Sequence, residues 1–343
     1  MPNPVLTRAL DAVASGRDLS EEQATAVLDE VMRGEASEVE IAGLLIGLRT
    51  KGETAAELAG LARAMRAHAT PVAVAFDDLV DTAGTGGGRT TFNVSTTAAL
   101  IAAGAGARVA KHGNRSATSL SGSADLLEAL GARIDLSPEA VARCIEEVGF
   151  GFMFAPAHHR ATRYVVPVRK ELAVRTIFNL LGPLTNPAGA RRQLVGVSEP
   201  AFIETIAGAL RALGASRALV VSSEDGLDEM STSGTTQVVE LDGDRIERYA
   251  VSPEDVGLAR ADPGALAGGT PEQNASTTRK VLAGEPGPPR DLAVLNAGAA
   301  LYVAGRATTL SEGVRLAETT IDSGAAASAC ERFVARTREL APA

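Results

Sequence analysis

Residues 84–100 read GTGGGRTTFNVSTTAAL, and the fold can be argued outward from them. Gly84, Gly86, Gly87 and Gly88 make four of the first five positions glycine. Glycine accepts positive φ and lets backbone N–H groups approach an anion with no Cβ in the way. The preceding ATPVAVAFDDLVDTAG (residues 69–84) carries a proline and then a β-rich apolar stretch, a hinge that leads into a strand. After the loop, residues 96–106 are small, apolar and helical in pattern. Asn93, Ser95, Thr96 and Thr97 therefore put side-chain donors at a helix N-terminus, where the helix dipole favours negative charge. The order strand, glycine loop, hydroxyls and helix predicts an anion site. It matches neither G-x-G-x-x-G with a ribose-binding acid nor G-x-x-x-x-G-K-S/T, which counts against dinucleotides and nucleoside triphosphates.

Downstream, strand-like and helix-like segments alternate. Residues 108–111 read as a short strand, and Ser123 to Leu130 as a helix stopping at Gly131. Ser137 and Pro138 open another helix that turns Val141, Cys144, Ile145 and Val148 inward. ALVVS (218–222) is a buried strand, and residues 237–241 and 245–249 flank Asp242-Gly243-Asp244 as a hairpin away from the ligand. The last seventy residues return to helices after the Gly/Pro stretch 284–289. Such alternation predicts an α/β fold with a mainly parallel sheet.

Upstream, residues 1–70 read as helices only. Ser20 with Gln23, Ser37 with Glu40 and Thr54 with Glu57 are three capping boxes. Behind them run the stripes Ala24, Val27, Leu28, Val31, then Ile41, Leu44, Leu45, Leu48, then Leu58, Leu61, Met65. Helices this short must bury their apolar faces against the rest of the chain or a second copy. The expected organisation is a small all-helical domain (1–70, with part of 160–190 packed on it) beside a large α/β domain (71–343).

The chain has 343 residues, 45% of them hydrophobic, so it can bury a substantial core. Its 33 Lys plus Arg against 42 Asp plus Glu give a charge of -9, which argues against a nucleic-acid surface. Two cysteines and no C-x-x-C exclude a zinc framework. The opening MPNPVLTRALDAV lacks a secretion signal, and no apolar run is long enough to span a membrane. A cytoplasmic location is expected.

Three further segments bear on chemistry. VAKHGNRSATSLSGSAD (109–125) packs Lys111, His112, Asn114 and Arg115 into five residues, followed by a run of hydroxyls. Cations for attraction and hydroxyls for orientation suit a phosphate ligand. On its own the segment could be a solvated loop, and His112 a structural donor. EDGLDEMSTSG (224–234) follows the ALVVS strand, where ligand sites of open α/β sheets lie. Adjacent Asp228 and Glu229 there could hold Mg2+, although a lone acidic loop is usually surface. VVPVRKELAVRTIFNLLGPLTNP (165–187) puts Arg169, Lys170 and Arg175 in a helical stretch, one of them facing the cleft and the others snorkelling or pairing.

KHGNRS (111–116), SGSADLLEALG (121–131), PVRKEL with RTIFNLLGPLTNP, and GLDE (226–229) together resemble the anthranilate phosphoribosyltransferases, in that family's order and over about residues 5–335. The resemblance implies transfer of a phosphoribosyl group from 5-phosphoribosyl 1-diphosphate to anthranilate, with Mg2+ as cofactor. It also implies a nucleoside-phosphorylase-like fold and a homodimer joined through the helical domain. Carried over residue by residue, it gives the donor to Gly84, Gly87, Thr91, Asn93, Val94, Ser95, Thr96, Lys111, His112, Gly113, Asn114, Arg115, Ser116, Ala117, Thr118, Ser119 and Ser123. Anthranilate would meet Gly84, His112, Asn114, Pro156, His159 and Arg169, the last through its carboxylate. The metal would fall to Ser95, Asp228 and Glu229. No proton-transfer residue is assigned.

Two departures stand out. The family usually reads G-T-G-G-D-G, but here Gly88 and Arg89 follow Gly87, one residue short and without the Asp. An altered Mg2+ dependence follows, which restoring the Asp should reverse. Arg160 and Thr162 stand where the family often has Pro and Met, at the anthranilate entrance. Two rivals remain: a pyrimidine-nucleoside phosphorylase, which needs another phosphate loop, and a non-catalytic nucleic-acid binder, which should be basic and should have lost Asp228 and Glu229.

Overall fold

The computed structural model describes residues 2–116 and 119–342. Seven strands form one sheet: β1 (Val80–Asp81), β2 (Val109–Gly113), β3 (Phe150–Phe154), β4 (Arg192–Gly196), β5 (Arg217–Ser223), β6 (Thr236–Asp242) and β7 (Arg245–Val251). Their order is β3-β2-β1-β4-β5-β6-β7, with the first five parallel and β6 and β7 antiparallel. The chain winds outward from β1 to β3 and then restarts beside β1 with β4. That reversal opens a crevice at the C-terminal ends of β1 and β4, where an open α/β sheet takes its ligand. The glycine loop leaves β1 directly into it.

Four helices precede the sheet: α1 (Pro4–Ala14), α2 (Glu21–Arg33), α3 (Glu38–Lys51) and α4 (Ala55–Ala67). Ser20, Ser37 and Thr54 each cap as the sequence predicts, with the third helical residue bonding back. Glu57 does more than close its box. Fully buried, it accepts the Leu19 N–H (2.9 Å) and pairs with Lys51 (3.0 Å), tying the start of α2 to α4. The sequence reading missed α1. Its signal was present: Asn3 accepts the Val5 N–H (2.9 Å), and Pro4 fills the first helical position.

The helical layer lies on one face of the sheet, because β5 alternates. Ala218 and Val220 face α4, the helix Ile203–Ala212 and residues 177–184, while Leu219 and Val221 face the opposite core. Close crossings need glycine: a Cβ on Gly60 would stand 2.2 Å from the Glu21 carbonyl of α2. The other face is covered by α5 (Val94–Gly104) and the helices Pro288–Val303 and Ala325–Leu340. Val141, Cys144, Ile145 and Val148 are buried as the sequence predicts, and Gly243 (φ +59°) turns the β6–β7 hairpin.

Three expectations need correction. The strand before the loop shrinks to Val80–Asp81. FGFMF (β3) and RQLVG (β4) are strands that the sequence reading left unassigned. The 165–187 stretch is not one helix, because Ala173 takes φ +52° and ends the helix Val166–Leu172.

Candidate active site

The glycine loop is held open by its neighbours. Gly86 and Gly87 take φ +65° and +84°, and the Thr85 N–H donates to the Gly196 carbonyl of β4 (2.8 Å). Gly84 and Gly88 lie against the Asp228 carboxylate, so a Cβ on Gly88 would fall 2.7 Å from its Oδ1. Gly196 is just as constrained, since a Cβ there would overlap the Asp228 carbonyl at 1.5 Å. Together these segments line a cleft of about 660 Å³ with Lys111–Ser116, Asp228 and Glu229.

At the far end of the loop, Asn93 adopts φ +65° and opens α5 without capping it. Its carboxamide is spent on Ser121 and Asn274 (2.8–2.9 Å), so it ties the loop to the serine segment. The first N–H groups of α5 are left for an anion. Thr96 Oγ1 is buried without a partner among the described residues. Val94 is buried in the core and offers only its backbone. Thr91 bridges to Ala267 in an isolated antiparallel pair.

Lys111 is 2% exposed, and its Nζ donates to the Thr82 carbonyl and hydroxyl (3.0 Å each). Burial lowers its pKa to about 8, against the pull of Asp81 and Glu229. Gly113 packs on Ser123, whose Oγ donates to the Asn114 carbonyl (3.2 Å). Ser116 and Ser119 bond to each other (2.6 Å). Arg115 lines the cleft while its guanidinium pairs with Asp125 (2.7 Å) and Glu128 (2.6 Å). Ala117 and Thr118, also named as donor residues, lie outside the described residues.

The carboxylate loop is pinned at three points. Ser223 Oγ donates to the Glu229 carbonyl (2.6 Å), while Asn296 both accepts from and donates to the Met230 backbone (3.0 and 2.9 Å). Desolvation raises the pKa of Asp228, and that of Glu229 far more, with the Asp228 charge adding to it and Lys111 opposing. No described cation forms a salt bridge with either carboxylate. Adjacent, desolvated carboxylates without a cation partner among the described residues, Asp228 helped only by backbone N–H groups such as that of Gly86, fit a hard divalent cation, whose charge would offset their desolvation. No group of three or more His, Cys, Asp or Glu converges among the described residues, so such an ion would draw its remaining ligands from substrate and water. Arg89 does not replace the missing Asp: it pairs with Asp225 (2.8 Å) and the Pro263 carbonyl (3.0 Å). Nor is that Asp simply restorable at position 88, where its Cβ would strike Asp228.

A less charged recess adjoins. The His112 and His159 rings stand 5.1 Å apart. His112 Nδ1 lies 3.2 Å from the Gly182 carbonyl, which makes it the donor and leaves buried Nε2 as an acceptor without a described partner. Burial pushes His112 down to about 3 and His159 to about 4, so both are neutral near pH 7. Arg169 reaches the cleft wall through Asn179 (3.4 Å), and its buried Nε has no described partner. Pro156 and Arg160 are exposed, and Thr162 caps the His159 carbonyl (2.7 Å). Arg175 and Asn179 both line the cleft, and the sequence reading had named neither as a site residue.

The helical bundle domain of a glycosyl transferase family matches residues 7–69, and the a/b domain of that family matches residues 76–327. An anthranilate phosphoribosyltransferase of Rubrobacter xylanophilus is 56% identical over 339 residues, 98% of this chain and 99% of that protein. The chain belongs to the anthranilate phosphoribosyltransferase family. The crystal structure of the Thermus thermophilus family member superposes with TM-score 0.92 at 50% identity, covering 96% of this chain and 99% of that one. The Saccharomyces cerevisiae family member in complex with PRPP and Mg superposes with TM-score 0.89 at 27% identity, covering 98% of each chain. Within this phosphoribosyltransferase no described helix is long and apolar enough to cross a membrane.

Proposed function

We propose that the cleft transfers the phosphoribosyl group of 5-phosphoribosyl 1-diphosphate to the amine of anthranilate, releasing pyrophosphate. The observation that carries this reading is one juxtaposition. A glycine loop, an uncapped helix N-terminus, Lys111 and two unpaired carboxylates meet beside a recess of neutral histidines backed by Arg169. The first part suits a metal-bound diphosphate, the second a flat aromatic acid. The PRPP and Mg bound by the yeast relative support the assignment.

Asp228, Glu229 and Ser95 would hold Mg2+, which when bound offsets negative charge on the diphosphate oxygens. The loop N–H groups, the start of α5 and Lys111 orient the leaving group and stabilise the charge it gains as the bond to ribose C1 breaks. Arg169 would meet the anthranilate carboxylate, and His112 and His159 would hold the ring with its amine toward C1. Because an arylamine is weakly basic, alignment of the two substrates supplies most of the catalysis. Among the expected donor residues, Asn93 then acts by shaping the loops rather than by side-chain contact.

Residues 1–70 with part of 160–190 form the small domain in this reading, and 71–343 the large one. Val39 and Ile46 on α3, with Val166 and Val174 on the segment packed beside it, are exposed apolar side chains that suit a homodimer through the helical layer. Both cysteines are free thiols, in keeping with a reducing cytoplasm. Anthranilate fluorescence, followed with donor and Mg2+ present, tests the proposal: it should decay at a rate proportional to enzyme. No turnover together with salt-sensitive binding to DNA or RNA would overturn it.

A further inference from the structure

We infer that Arg175 grips the outer phosphate of the diphosphate and is held within reach of it by the helical layer. The inference rests on the reading of the cleft as a diphosphate site.

The segment that carries Arg175 is shaped to deliver it. Ala173 ends the helix Val166–Leu172 at φ +52°, a conformation alanine adopts only at a cost. The turn leaves Val174 exposed and swings Arg175 over the glycine loop. From α3, Arg49 donates to the Arg175 carbonyl (2.5 Å) and fixes the backbone there. The guanidinium then spreads across the loop, with Nη2 donating to Ser198 Oγ (3.1 Å) and Nε pairing with Glu199 (3.0 Å). Nη1 lies against Gly87, where a Cβ would stand 2.1 Å away. Glycine at 87 thus makes room for this side chain as well as for a positive φ.

The other cations of the cleft are held more firmly. Lys111 is buried and anchored on Thr82, Arg89 pairs with Asp225 and the Pro263 carbonyl, and Arg115 bonds two carboxylates at once, Asp125 and Glu128. Arg175 has one carboxylate partner, Glu199, which is 49% exposed, and such a surface pair contributes little and can be given up cheaply. A phosphate offers a planar guanidinium two parallel charge-assisted bonds, a stronger and more directional contact. On binding, the guanidinium exchanges Glu199 for the phosphate while Arg49 keeps its backbone in place.

Titration of pyrophosphate with Mg2+ into the full chain, beside steady-state kinetics and thermal melts, tests the assignment. Arg175→Gln should weaken pyrophosphate and raise KM for the donor by roughly tenfold or more, with KM for anthranilate and Tm unmoved. Arg175→Lys should recover part of the loss, and Glu199→Gln should tighten pyrophosphate. Pyrophosphate affinity within twofold of wild type in Arg175→Gln would overturn the inference. So would a weakening matched by a higher anthranilate KM and a lower Tm, the mark of a loop brace only. Wild-type protein that binds no pyrophosphate would instead overturn the reading of the cleft, and this inference with it.

Discussion

The helical layer and the cleft handle polar groups in opposite ways. In the helices the capping boxes of α2, α3 and α4 are closed, and even buried Glu57 has its oxygens taken by Leu19, Thr54 and Lys51. In the cleft, Thr96 Oγ1, His112 Nε2, His159 Nε2 and Arg169 Nε are buried without described partners, and Asp228 and Glu229 carry desolvated charge without a salt bridge. One region is saturated by its own residues. The other is completed by whatever enters it. Stability and function are thus assigned to different parts of the chain, and substitutions should separate them.

The largest effect is expected at the carboxylates. Asp228→Asn combined with Glu229→Gln should lower kcat/KM by roughly 10²–10³, as when a transition-state electrostatic contact is removed. Thermal melting without ligand should show an equal or higher Tm, because two desolvated charges are gone. A fall in Tm along with activity would break the comparison.

Glu57→Ala should do the reverse. It strands the buried Leu19 N–H and leaves Lys51 to Asp18 and the Gly52 carbonyl, at a cost of about 1–3 kcal/mol in chemical denaturation. Turnover at 25 °C should persist in the folded fraction. Loss of turnover without loss of stability would show that the layer does more than support.

At neutral pH the smallest effect is expected at the histidines, whose contribution emerges only in acid. His112 and His159 titrate near 3 and 4 in the fold but near 6.5 when unfolded, so the unfolded chain binds more protons between those values. The histidine contribution to stability should be full above pH 6.5 and lost progressively as pH falls toward 3. His159→Asn should flatten that acid slope in urea denaturation, leaving the neutral-pH end little changed. A slope identical to wild type would place the acid sensitivity elsewhere.

The same contrast explains what could be read without coordinates. Capping boxes are local, so Ser20, Ser37 and Thr54 announce their helices within four residues. Asn3-Pro4 announces another that the reading passed over. β3 and β4 are parallel strands within the sheet: FGFMF shows no alternation, and RQLVG opens on polar residues, so period two is absent from both. The glycine loop and GLDE were legible because anion and metal chemistry restricts residue type. Which of Arg169, Lys170 and Arg175 lies over the loop was not, because it depends on a single positive φ at Ala173 that alanine does not advertise. The ion pairs of Arg115 were not legible either, since its acceptors Asp125 and Glu128 lie ten and thirteen residues ahead.

The contact between Gly88 and the Asp228 carboxylate has an evolutionary corollary. The loop sits so close on the acid it frames, with the Gly226 carbonyl on its other side, that no single codon change can put an aspartate at position 88 without moving the backbone. A carboxylate there would require a wider loop first, and until then every side chain tried at position 88 is screened against the same oxygen 2.7 Å away.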